Sequence, residues 1–195
     1  MSKYEKKDFI NIILSCVLYL GLYFIYMLTE RSAYFIPLLA VLFPILGGIP
    51  VVLYISKLSK WGHLTAIAVA FELTQILNGD YLALLVGIVL ATVGEYLMYK
   101  GEYKKTKNIV LAYGIMSIMI STPYVQFLTD RKDYYDFMVK HMGIDFTDTV
   151  FRIIPAWSVP LYPVITFVAG VLGAYIGIKV FGKQLMKAGY DIKWL

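Results

Sequence analysis

This sequence predicts an all-α membrane protein, on three observations. Of its 195 residues, 59% are apolar and only 16% are charged, whereas a soluble domain carries roughly 25% charged residues. The apolar residues are gathered into six runs that match the roughly 17 to 25 residues a helix needs to cross a bilayer, and mean hydropathy over the whole chain is +0.69. Polar and apolar residues do not alternate within the runs. They are therefore helices and not barrel strands, because lipid leaves backbone N–H and C=O groups to be satisfied inside the segment itself.

The first run, Phe9–Leu28, follows a basic segment containing Lys3, Lys6 and Lys7 that looks like the start of a signal peptide. It is longer than the 7 to 15 residues of a secretory core and lacks a small-x-small exit, so it reads as a retained span. Cys16 lies inside this run and is the single cysteine, which excludes a disulfide scaffold. The second run, Ala33–Ile55, contains Pro37, Pro44, Gly47, Gly48 and Pro50, and reads equally as a hinge or as a fixed kink. The third and fourth, Trp61–Leu77 and Tyr81–Tyr99, are the two runs that hold a carboxylate, Glu72 and Glu95. Ile109–Leu128 and Ile153–Ile178 complete the six.

Orientation follows from the cations. With both termini in the cytoplasm, only Arg31, Arg131, Lys132, Lys140 and Arg152 fall outside, in agreement with the positive-inside rule. The one long loop, Thr129 to Arg152, is then external. Its Tyr134, Phe137, Met138, His141 and Met142 recur at i, i+3, i+4, i+7 and i+8, the apolar stripe of an amphipathic helix between the fifth and sixth spans. No internal repeat divides the chain, so residues 1–195 read as one transmembrane domain. The net charge of +5 is scattered between spans, which excludes a nucleic-acid-binding face.

Glu72, Gln75 and Asn78 share one helix face in the outer half of the third span, with Tyr81 following at the outer mouth. Ionisable groups at membrane depth are expensive, so they face the bundle interior or a water-filled cavity and mark a candidate site. Tyr124, Gln126, Arg152 and Trp157 converge at the same end and suit a stacking pocket for a flat ligand. Glu95, near the opposite end, reads as an interfacial anchor or a contact for a partner. In the last span Ala169, Gly173 and Gly177 form a flat strip that lets helix backbones approach, either inside the bundle or against a second protein. His63 and His141 are far from any carboxylate on their own helix face, and no H-E-x-x-H, G-x-S-x-G or P-loop occurs. The chain is therefore expected to hold no metal, to bind no cofactor and to be no enzyme.

Taken in order, several pieces resemble one known family. They are Gly48-Ile-Pro50 leading to Lys57-Leu-Ser-Lys60-Trp-Gly62, Asn78-Gly79-Asp80, Gly94-Glu95-Tyr96 through Tyr103 and Lys107 to Ala112-Tyr113, and Gly173-Ala-Tyr-Ile-Gly177 followed by Gly182-Lys183 and Lys187-Ala-Gly189. The sequence resembles the substrate-binding S components of energy-coupling-factor (ECF) transporters, in particular the bacterial integral membrane proteins of the Trep_Strep group. The resemblance implies a receptor that captures a small nutrient from outside and delivers it inward on a transmembrane scaffold subunit and two ABC-type ATPases, which bind the ATP. It also implies a ligand cavity open to the exterior. Proteins similar to this group have been linked to haem uptake, for which His141 or Met142 would offer an axial ligand, and a vitamin-like heterocycle is the other substrate class. One feature departs from the S-component pattern: the first span offers only Ser15, Cys16 and Gly21 where an alanine-x-x-x-alanine strip would dock the scaffold. The Ala169, Gly173 and Gly177 strip is the fallback docking surface. The rival reading is a stand-alone secondary carrier or channel with Glu72 as a proton or ion site.

Overall fold

A computed structural model describes residues 4–29, 32–55, 57, 60–76, 81–187 and 189. Nine α-helices are found among them: α1 Lys6–Met27, α2 Phe35–Ile55, α3 His63–Ile76, α4 Tyr81–Lys100, α5 Thr106–Ser117, α6 Thr122–Thr129, α7 Arg131–Met142, α8 Ile144–Ile153 and α9 Tyr162–Lys187. Five stretches are long and apolar enough to cross a membrane: Lys6–Met27, Phe35–Ile55, Ala83–Lys100, Thr106–Thr129 and Ala156–Lys187. The third predicted run is shorter as a helix than its apolar sequence suggests. At 14 residues, α3 is about 21 Å long, less than the roughly 30 Å of a hydrocarbon core.

Helix α1 begins with a reciprocal cap, in which the Asp8 carboxylate accepts the Glu5 backbone N–H at 2.8 Å and the Glu5 side chain accepts the backbone N–H of Asp8, the third helical residue. Asp8 also pairs with Lys60, and the Tyr4 hydroxyl donates to the Trp61 carbonyl. These contacts tie the start of α1 to the entry of α3. Above this point α1 buries one stripe, Ser15, Tyr19, Tyr23 and Tyr26, spaced at three or four residues. Its opposite face exposes Ile10, Ile13, Leu14 and Val17, as suits a helix side turned to lipid.

The second predicted run forms one continuous helix through Pro44 and Pro50. It lies directly on α9. A Cβ on Gly48 would strike the backbone of Gly173 and stand 2.6 Å from the Ala174 nitrogen, and one on Gly173 would strike the Pro44 carbonyl. Small residues on both sides thus allow backbone-to-backbone packing. The Tyr113 hydroxyl donates to the Pro44 oxygen at 2.9 Å and joins α5 to this pair.

Glu95 does not reach an interface. It is fully buried, and its Oε1 accepts the Leu64 backbone N–H at 2.6 Å. A carboxylate from α4 thereby caps the first turn of α3, where orphan N–H groups and the positive dipole end favour an anion.

The fifth run is broken. After a 3₁₀ turn at Ile118–Ser121, Pro123 sits in the first turn of α6. Proline cannot donate to the Met119 carbonyl four residues back, and the Thr122 hydroxyl donates there instead, at 2.8 Å. The 129–152 segment, expected to hold one amphipathic helix, holds two, α7 and α8, separated by Gly143 at φ 89°. Arg152 lies in the last turn of the second, which ends at Ile153.

Candidate functional site

At the end of the bundle where α1 and α3 finish and α2 begins, the helices enclose a cavity of about 270 Å³. Its floor is Gln75 of α3 beside Tyr23 and Met27 of α1. Ile36 and Leu39 of α2 form one wall, and Pro123, Tyr124, Gln126 and Phe127 of α6 form another. The roof is α7, which contributes Tyr134, Phe137, Met138, His141 and Met142. These five are the stripe that the helical spacing of the 129–152 segment picks out; Met138 is buried, while Phe137, His141 and Met142 are exposed and form an open rim.

The floor is polar and held. Gln75 Nε2 donates to the Tyr23 hydroxyl at 3.1 Å and to Thr74 Oγ1 at 3.2 Å, while the Thr74 hydroxyl donates to the Phe71 carbonyl at 2.6 Å. Tyr23 is fixed further by edge-to-face contacts with Phe71 at 4.9 Å and Phe43 at 5.6 Å. In the walls, the Tyr124 hydroxyl donates to the Ile36 carbonyl at 2.6 Å, and its ring stacks on Tyr162 at 3.9 Å. Phe127 meets Tyr134 edge-on at 5.0 Å, which links wall to roof. The His141 ring packs on Phe137 at 4.2 Å with Nδ1 against the Phe137 carbonyl at 2.7 Å.

The predicted site residues are distributed unevenly around this space. Gln75, Tyr124 and Gln126 line it, as do His141 and Met142. Glu72 is fully buried one turn below Gln75, in the contact of α3 with α4, where the missing side chain of Gly87 leaves room for its carboxylate. Tyr81 is 71% and Trp157 74% exposed, and both rings point out of the bundle. Arg152 is exposed at the end of α8. Asn78 lies outside the described residues. The Ala169, Gly173 and Gly177 strip is buried, with both of its glycines packed on α2, which is the internal of the two readings its sequence permits.

Sequence reasoning passed over Tyr23, Met27, Ile36 and Leu39. A signal for one of them exists: Ser15, Tyr19 and Tyr23 repeat at four-residue intervals inside an apolar span, and such a polar stripe needs partners within the bundle. The partners lie on α3. Ser15 Oγ meets His63 Nε2 at 2.9 Å, and Tyr23 meets Gln75, so a polar seam runs between the two helices up to the cavity floor.

Arg131 is committed elsewhere. Its Nη1 donates to the Phe127 carbonyl at 3.1 Å and its guanidinium covers the Phe151 ring at 4.8 Å. The Tyr135 hydroxyl donates to Asp148 at 2.7 Å, which ties α7 to α8; that bond holds the Tyr135 phenol above its ordinary range.

Residues 6–187 match the family described as "Hypothetical bacterial integral membrane protein (Trep_Strep)". The chain belongs to the Trep_Strep family. This Trep_Strep protein is accordingly a multi-pass integral membrane protein. No curated protein and no solved structure matches it.

Proposed function

We propose that this Trep_Strep protein is the substrate-binding S subunit of an ECF-type importer, which captures a small nutrient, a vitamin-like heterocycle or haem, and carries it inward. The observation that carries this reading is the roofed cavity at the C-terminal ends of α1 and α3. With the lysine-rich termini in the cytoplasm, as the positive-inside rule requires, that end faces outward. In this arrangement α3 belongs to the sixth crossing, and α7 lies over an external binding site as an amphipathic cover. The chain has no catalysis or cofactor of its own. ATP is consumed by two ABC-type ATPase subunits, to which a transmembrane scaffold subunit couples it.

The reading is tested by purifying the tagged chain from its own cells under mild detergent and identifying what accompanies it. Two ATPases and one larger membrane subunit are expected, with nutrient uptake lost when the ATPases are inactivated. Uptake by the chain alone in liposomes overturns the proposal in favour of the second reading, a stand-alone carrier or channel. The burial of the Glu72 carboxylate inside the bundle supports that alternative, since such a group is suited to carrying a proton or ion.

A further inference from the structure

We infer that the cavity takes an uncharged, flat molecule of one or two fused rings that presents an N–H donor to Gln75 Oε1, and that neither haem nor an anion is its occupant. The inference rests on reading the cavity as the ligand site and narrows what that site accepts.

Size comes first. The cavity of about 270 Å³ lies at the lower edge of the roughly 300 to 1,000 Å³ typical of small-molecule sites. A bicyclic heterocycle of about ten non-hydrogen atoms suits that space, and a porphyrin of roughly forty does not. Charge comes second. None of the fourteen described lining residues is Asp, Glu, Lys or Arg. Of the cations that flank the lining in sequence, Arg131 is turned onto Phe127 and Phe151, while Lys132 and Lys140 are exposed. A carboxylate entering this space would lose its water, and among the described lining residues only His141, exposed at the rim, offers a nitrogen that could meet it.

Shape comes third. Phe127, Tyr134 and Phe137 form a ring-to-ring series from wall to roof, with Tyr134 and Phe137 within 10° of parallel. Their faces offer offset stacking or edge contact to a flat guest. Hydrogen bonding comes last. Both amide hydrogens of Gln75 are engaged, by Tyr23 and Thr74. Its carbonyl oxygen is what this nearly fully buried side chain has left to offer a ligand. A guest without a donor leaves that acceptor unpaired, and sites built this way discriminate strongly against analogues lacking the donor.

The test uses the full chain in phosphatidylcholine nanodiscs, titrated calorimetrically against empty discs with indole, benzofuran, benzoate and haemin. Indole and benzofuran have the same two rings and differ in the N–H. Indole is expected to bind about tenfold more tightly than benzofuran, with no binding of benzoate or haemin at the cavity. In Gln75→Leu the ratio should fall to about twofold or less, with the rings still bound. Met142→Trp, placed at the exposed rim, should fill the space and abolish indole binding without disturbing the buried floor. Equal affinity for indole and benzofuran, no binding of indole, or benzoate or haemin binding that Met142→Trp blocks, would overturn the ligand class while leaving the cavity as the binding site. Binding of all probes unaffected by Met142→Trp would overturn the cavity itself.

Discussion

The contact between α2 and α9 and the corner enclosed by α1, α3, α6 and α7 are built from opposite materials. In the first, Pro44, Ile45 and Gly48 face Gly173, Ala174 and Gly177, and the two backbones touch with no room for a Cβ at Gly48 or Gly173. In the second, Tyr23, Tyr124, Phe127 and Tyr134 hold the helices apart and a cavity opens between them. Without a hydrophobic drive between helices in lipid, association depends on close packing. The small-residue contact therefore acts as the fixed spine of the bundle, and the aromatic corner is free to leave space for a guest.

This contrast is best broken at the spine. Gly48→Ala is expected to cost about 3 kcal/mol, because its Cβ would collide with backbone that cannot turn aside; reversible unfolding in mixed micelles measures it. A loss under 1 kcal/mol would show that α2 and α9 slide freely. Glu95→Ala should cost about 2 kcal/mol by uncapping α3 and orphaning the Leu64 N–H, with amide exchange at the first turn of α3 rising first.

Smaller effects sharpen the picture of the corner. Gly143→Ala should loosen the α7–α8 joint by about 1 to 2 kcal/mol, because its φ of 89° and ψ of 161° suit glycine alone. Faster proteolysis between residues 142 and 144, with overall unfolding unchanged, is the expected readout. Gly87→Ala should cost about 1 kcal/mol, since the added methyl meets the movable Glu72 side chain and not backbone. Trp157→Ala should change stability by less than about 0.5 kcal/mol and leave ligand binding intact, because this ring lies outside the cavity. A clear loss of binding there would move the site.

How much was legible in the sequence can be judged residue by residue. The stripe from Tyr134 to Met142 is visible because helical periodicity is a local property, and those five residues line the cavity from α7. The small-residue strip is visible for the same reason, although spacing alone leaves its partner open between α2 and another protein. The break at Thr122-Pro123 was hidden inside an apolar run, since hydropathy does not register a missing N–H. Glu95 was misjudged because its partner, the Leu64 N–H, lies 31 residues away. Trp157 and Tyr81 share an end of the molecule with the cavity, yet helix rotation turns them outward.

Composition and periodicity by themselves determined that the chain lives in a bilayer as helices, where the apolar runs lie, and which faces are small or amphipathic, because each of these depends on neighbours within a turn or two. Only the tertiary structure decided that Tyr23 meets Gln75, that Glu72 sits behind the cavity and not in it, and that α7 borders the open side of the space. Those outcomes depend on how helices distant in sequence rotate and lean against one another, and that is set by packing across the whole bundle.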